Sequence, residues 1–300
     1  MAGLYDEILE NHRRKIEEAL PSYLPPADGG ARQNTVYEAM RYACMDGGKR
    51  LRPVLVMEFC RLCGGSPARA LPFACAVEMI HAYSLVHDDL PCMDDSPLRR
   101  GKPSVHAAFG EDMALLAGDG LLTRAFEVML AAENREGLPA EGVLSAAFAL
   151  ADAAGAGGMV GGQVIDLQSE GKAVDLPTLE ALQLGKTAAL ITAACEMGCR
   201  IGDGSPQQLE AACRFGRELG LCFQIVDDLL DVTSTPEMLG KPVGGDQTNE
   251  KATYVSLLGT EKAAALAAER TRGAVEALAA FGEEASSLRA LAQALLRRTS

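Results

Sequence analysis

Helical periodicity is the feature that most restricts what this chain can become. Apolar residues return every three or four positions through "NTVYEAMRYACM", "LPFACAVEMIHAYSLVHDD", "EDMALLAGDGLLTRAFEVMLAAEN", "DLPTLEALQLGKTAALITAACEMG", "SPQQLEAACRFGRELGLCFQIVDDLLDV" and "EKAAALAAERTRGAVEALAAF". That spacing puts them on one face of an α-helix. Two of these stretches open on Asp175 or Ser205 with a proline close behind, a common helix start, and Gly47-Gly48 closes the first. No stretch of useful length alternates apolar and polar residues between paired turn signals, so strands are not expected. The breaks "SYLPPADGGA", "CGGSPA", "ENREGLP" and "IGDGSP" are short connections, none long enough to separate one domain from another. The pattern predicts an all-α fold, a single large bundle over residues 1–300 whose middle helices are apolar nearly all round and so buried.

Charge narrows the function. A formal net charge of −13 argues against nucleic-acid binding. It leaves room for a phosphorylated substrate, provided divalent cations or local Lys/Arg clusters accompany it. The N-terminal "MAGLYDEILENHRRKIEEAL" carries acids and no apolar core, and no uninterrupted apolar run reaches about 18 residues, so neither a secretory signal nor a membrane span is expected. The expected compartment is the cytoplasm. Its reducing conditions suit nine cysteines, an odd number set in mostly apolar surroundings. Cys60-x-x-Cys63 and Cys195-x-x-x-Cys199 have no histidine nearby and are expected to be buried thiols rather than zinc ligands.

Two acid clusters stand out. In "HDDLPCMDDSPLRRG", Asp88 and Asp89 end an apolar helix, Pro91 interrupts it, and Asp94 and Asp95 follow. Asp94 comes six residues after Asp88, so the two converge only through a bend at Pro91. In "FQIVDDLLD", Asp227 and Asp231 lie four apart on one helical face, with Asp228 beside them. Carboxylates in such apolar company are unfavourable without a cation, which points to a hard divalent metal. His81 shares a helical face with Asp88 two turns on, which makes it a site candidate. Basic residues complete the set: Lys49, Arg50 and Arg52 in "GGKRLRP", the pair Arg99-Arg100, Lys186 in "LGKT", and Lys241 and Lys251 in "LGKPVGGDQTNEKATY". Guanidinium and ammonium groups of this kind grip phosphates. "LGKT" is no P-loop, because Glu180 stands where that loop needs glycine.

From about Gly47 to Tyr254 these elements, in this order, resemble the trans-isoprenyl diphosphate synthase family: "EMIHAYSLVHDD", "RRG", "GKT", "FQIVDDLLD" and a "GK…D…K" stretch. The resemblance implies a helical bundle around a central cavity, working as a homodimer. It also implies that Mg2+ held by Asp88, Asp94 and Asp227 assists condensation of isopentenyl diphosphate with an allylic diphosphate. Asp89, Lys186 and those three acids would form the catalytic set, with Asp95, Asp228 and Asp231 in support. Arg99, Lys186, Thr187, Gln224, Lys241 and Lys251 would hold the allylic diphosphate. Lys49, Arg52, His81 and Arg100 would hold isopentenyl diphosphate, with Gly48 and Arg50 shaping that pocket.

Product length in the family varies with the residues five and four before the first aspartate, here Tyr83 and Ser84. With "HAYSLVHDDLPCMDD", the resemblance is to bacterial farnesyl diphosphate synthases, and geranylgeranyl diphosphate is the alternative product. A terpene cyclase is disfavoured because its second acidic motif differs from "DDLLD". A metal phosphohydrolase would want more histidines than His12, His81, His87 and His106. A non-catalytic subunit of a heteromeric synthase commonly lacks acids that are present here.

Overall fold

The computed structural model describes residues 6–45, 47–233 and 252–297. Lys241 and Lys251 lie outside the described residues. Helices make up nearly all of the rest. In chain order they are α1 (Glu7–Tyr23), α2 (Asn34–Met45), α3 (Leu51–Leu62), α4 (Pro67–Asp88), α5 (Val105–Phe109), α6 (Glu111–Leu130), α7 (Ala140–Ala154) and α8 (Met159–Ser169). Then come α9 (Leu176–Gln183), α10 (Ala189–Ile201), α11 (Pro206–Thr233), α12 (Tyr254–Leu258), α13 (Thr260–Ala277) and α14 (Ser286–Leu296). A π-helical turn, Leu184–Ala188, joins α9 to α10. The all-α expectation holds. Among the described residues the strands are two residues each, β1 (Leu98–Arg99) and β2 (Lys102–Pro103), paired antiparallel around the "RRG" turn.

The helices pack around α10, which touches α3, α4, α7 and α11; α4 packs in turn on α3 and α6, and α11 on α13. Every residue of α4 from Phe73 to Ile80 is buried, so this stretch is covered on all sides, as its largely apolar sequence predicts. One cluster of buried side chains runs from Leu9 on α1 to Leu295 on α14. The stretch Ala140–Ser169 has the hydropathy of a membrane span, but it is broken at Gly155–Gly158 into α7 and α8. These helices have 15 and 11 residues, each short of the roughly 20 that a span requires.

The one acid in the buried run of α4 is Glu78, 4% exposed. It meets Arg50 Nη1 at 2.5 Å, while Arg50 Nη2 donates to the Cys44 carbonyl at 2.9 Å. Arg50 precedes α3 in left-handed backbone, φ 51°, separated by one residue from Gly47 and Gly48 at φ 72° and 114°. A non-glycine residue at positive φ needs its surroundings to hold it there. The Glu78 carboxylate and the Cys44 carbonyl do so, fixing the turn between α2 and α3 against the middle of α4. Removing one member of a buried ion pair leaves the other charged and unpartnered, typically a loss of about 3–5 kcal/mol. Glu78→Gln should lower unfolding free energy by about that much in urea titration; a loss under about 1 kcal/mol would mean the turn is held by packing alone.

Candidate active site

Asp88 is the last residue of α4 and Asp89 its C-cap. Beyond them the chain doubles back. The amide of Asp94 donates to the Asp88 carbonyl at 2.9 Å, that of Asp95 to Leu90 at 3.1 Å, and that of Ser96 to Asp89 at 3.2 Å. Pro91 thus makes the predicted bend and returns Asp94 to Asp88. Burial pushes the Asp88 carboxyl above the usual carboxylate range; Lys186 and Arg99 pull it down, and Asp94 and Asp89 push it further up. Asp89 faces elsewhere. It is 2% exposed and its two oxygens accept from Nε and Nη2 of Arg99. Expected in the catalytic set, Asp89 is in this structure the clamp on Arg99. One residue along a helix end turns the side chain by about 100°, enough to separate the two aspartates.

The hairpin deals its adjacent arginines to different partners. Its turn residues Arg100 and Gly101 have φ 53° and 79°, the paired positive values of a tight two-residue hairpin. Arg99 joins Asp89, whereas Arg100 Nη1 donates to the Gly47 carbonyl at 2.6 Å. A Cβ on Gly48 would stand 2.8 Å from the Arg100 guanidinium, which could swing aside; the φ of 114° is what calls for glycine there. His81, on α4, has its imidazole driven well below the ordinary histidine range by burial and then by Arg52, Arg100, Arg99 and Arg50. Burial brings the Arg52 guanidinium down to about 10, and its Nε has no partner among the described residues. Lys49 Nζ stands 5.7 Å over the ring of Phe223 on α11, a cation–π contact. Arg52, His81 and Arg100 therefore belong to one cationic patch between the α2–α3 turn, the hairpin and α4, with Lys49 of the same turn standing against α11.

Across from it, the π turn presents Lys186 and Thr187. Thr187 Oγ1 donates to Gln224 Oε1 at 3.3 Å, and Gln224 Nε2 donates to Asp228 Oδ1 at 3.2 Å. Asp228 Oδ2 accepts from the Tyr254 amide at 2.8 Å. Asp228, expected in a supporting role, thereby ties α11 to the start of α12 and is 3% exposed. Asp227 is half-buried beside it and Asp231 is buried one turn on. Among the described residues, no three His, Cys, Asp or Glu side chains converge closely enough to hold one ion by themselves.

Tyr83 lies one turn and a residue before Asp88, 7% exposed, its ring edge-on to His87 at 5.7 Å. Ser84, by contrast, turns its hydroxyl back onto the His81 carbonyl. Sequence reasoning passed over Asp166 on α8, whose Oδ2 is 2.6 Å from Lys186 Nζ, together with Gln163, Phe223 and Glu78. "GGQVIDL" did carry a signal: a polar residue and an acid three apart on an otherwise apolar helix, the same kind of cue that singled out "QIVDDLLD".

Residues 33–292 match the family model described as polyprenyl synthetase. The large subunit 1 of the chloroplastic heterodimeric geranylgeranyl pyrophosphate synthase of Arabidopsis thaliana is 46% identical over 267 residues, 88% of this chain and 72% of that protein. The farnesyl diphosphate synthase of Geobacillus stearothermophilus is 45% identical over 253 residues, 84% of either chain. Among solved structures, an FPP/GFPP synthase from Zymomonas mobilis superposes with a TM-score of 0.84 at 40% identity, covering 96% of this chain and 97% of that one.

The suppressed basicity of His81 has a sign that can be measured. The folded chain keeps the imidazole neutral, while the unfolded chain takes up a proton below about pH 6.5. The stability this contributes is complete above that pH and is lost as pH falls toward the folded value, at up to about 1.4 kcal/mol per pH unit. Urea titrations between pH 7.5 and 5.5 should show a steeper loss for the wild type than for His81→Gln. Parallel slopes would show that the imidazole is not held neutral.

Proposed function

Because the chain belongs to the polyprenyl synthetase family, and so is a prenyltransferase of the trans-prenyl synthase kind, we propose that it is a farnesyl diphosphate synthase. It joins isopentenyl diphosphate to dimethylallyl and then geranyl diphosphate. The observation that carries the fifteen-carbon product is Tyr83, a large, stiff, buried ring roughly 7.5 Å along α4 from Asp88. A prenyl tail anchored at the acids and running down α4 ends against it. The names of several relatives favour geranylgeranyl diphosphate as the second reading.

In this reading Lys49, Arg52, His81 and Arg100 bind isopentenyl diphosphate. Neutral His81 donates an N–H while the cations neutralise phosphate charge. Arg99, Lys186, Thr187 and Gln224 bind the allylic diphosphate, with Lys241 and Lys251 assigned to the same task by sequence. Lys186 and Arg99 draw off charge as that diphosphate departs. The apolar walls of α4 exclude water from the allylic cation left behind, and the released diphosphate accepts the proton lost after carbon–carbon bond formation. Asp88, partly withdrawn from water and crowded by the exposed Asp94, suits a hard cation, and with Asp94 and Asp227 it would hold Mg2+. When bound, Mg2+ supplies further neutralisation of the leaving group.

Exposed Leu115 and Leu116 on α6, Leu144 and Phe148 on α7, and Val160 and Val164 on α8 support a homodimer formed through consecutive helices. Nine free thiols support a reducing, cytoplasmic setting for a single-domain enzyme.

Incubation with Mg2+, isopentenyl diphosphate and geranyl diphosphate should yield farnesyl diphosphate. Excess chelator should abolish turnover and added Mg2+ restore it; full turnover in chelator sinks the metal assignment, and no turnover at all favours a non-catalytic subunit. Tyr83→Ala should release products of twenty carbons and more. A folded, active Tyr83→Ala that stops at fifteen places the floor elsewhere, and a wild type that makes twenty removes the farnesyl product.

A further inference from the structure

Asp166 stands outside both aspartate motifs, yet its carboxylate meets Lys186 Nζ at 2.6 Å with both side chains largely out of water, 13% and 24% exposed. The approach is built into the backbone. A Cβ on Gly162 would fall 2.1 Å from the Lys186 amide nitrogen and 2.7 Å from the Gly185 carbonyl carbon, and a Cβ on Gly185 would in turn meet Gly162 Cα at 3.0 Å. Bare glycine against bare glycine therefore lets α8 lie directly on the π turn. Asp166 is four residues past Gly162, on the same face of α8, which puts its carboxylate one turn beyond this contact. The π turn adds a residue to the helical repeat at Leu184–Ala188, a device frequent at functional sites.

We propose that Asp166 is a positioning residue for prenyl transfer, holding the Lys186 ammonium between α8 and the end of α4 so that it faces the allylic diphosphate and not Asp88. The inference rests on the function proposed above and deepens it. Lysine is a point charge on a flexible four-carbon stem, and nothing in its own chemistry fixes where the nitrogen sits. Lys186 also lies within the field of Asp88, whose carboxyl it draws down. Without a second anchor, a half-buried ammonium near Asp88 and Asp94 collapses onto them and occupies acids needed for a cation. One charge-assisted bond to Asp166 holds the nitrogen back and leaves two N–H donors for phosphate oxygens. In this role Asp166 acts through Lys186, and that separates a positioning role from a direct one.

The test is a double-mutant cycle on the intact chain with isopentenyl and geranyl diphosphates as substrates. Asp166→Asn keeps the size and removes the charge. It should lower kcat/KM for geranyl diphosphate about 10- to 100-fold, leave KM for isopentenyl diphosphate near the wild-type value, and unfold at a temperature close to wild type. Asp166→Glu, which restores the charge, should recover some of the loss. In a Lys186→Ala background, Asp166→Asn should change nothing further. The role is overturned if Asp166→Asn leaves geranyl diphosphate kinetics unchanged or damages both substrates alike. It is overturned equally if its loss adds in full to that of Lys186→Ala, the mark of an acid acting directly on metal or substrate. A wild type without prenyl transfer overturns the proposed function and this role together, whereas an active wild type with an indifferent Asp166→Asn overturns this role alone.

Discussion

A carboxylate withdrawn from water must be given a counter-charge or N–H donors, and this requirement organises the molecule. Glu78 meets Arg50, Glu58 meets His12 and Arg61, Asp89 meets Arg99, Asp166 meets Lys186, and Asp228 takes the Tyr254 amide. Most of these contacts join segments remote in sequence: the α2–α3 turn to α4, α1 to α3, the hairpin to α4, α8 to the π turn, α11 to α12. Apolar burial supplies the drive to pack these helices but is tolerant of small slips along their axes. The buried charge pairs are not tolerant, because a slip of one turn strands a charge. Asp88 differs in that acids as well as cations stand close to it: Asp94 and Asp89 raise its carboxyl while Lys186 and Arg99 lower it. That residual negative charge is where a cation is wanted.

Much of this was legible in the sequence. The 3.6-residue period gave the helices, and the largely apolar run before Asp88 gave the burial of α4. The six-residue gap and Pro91 required a reversal of the chain, and the amide of Asp94 on the Asp88 carbonyl is that reversal. Arg50 and Arg52 of "GGKRLRP" and both arginines of "RRG" do gather around His81. What stayed hidden has a common cause: spacing along one helix says which residues share a face but not which foreign segment covers that face. Asp89 and Asp228 read as twins of Asp88 and Asp227. Their separate fates follow from the hairpin arginine and the Tyr254 amide, which arrive from elsewhere in the chain. Asp166 was missed for the same reason, and the π turn because an extra residue in a helical repeat leaves the apolar period almost untouched.

The two kinds of surface in the site have different tolerances. Its polar rim is assembled from turns, a hairpin, a π turn and helix ends, each held by hydrogen bonds whose partners lie far away in sequence. In the proposed reading its apolar floor belongs to α4, a helix buried on all sides from Phe73 to Ile80. A substitution in the rim disturbs several partners at once, whereas a side chain on the wall of α4 can change size with the backbone and rim left as they were.

That asymmetry bears on descent. If Tyr83 is the stop, as proposed, product length would reside in one codon of α4, while the machinery for ionisation and condensation would be spread over most of the chain. Lineages can then exchange one chain length for another by drift at a single position, in either direction, without leaving a mark on overall similarity. Relatives about equally distant from this protein carry farnesyl and geranylgeranyl names side by side, as such a history would leave them. Genealogy reconstructed from whole chains would trace the ancestry of the catalyst and be blind to the ancestry of its product.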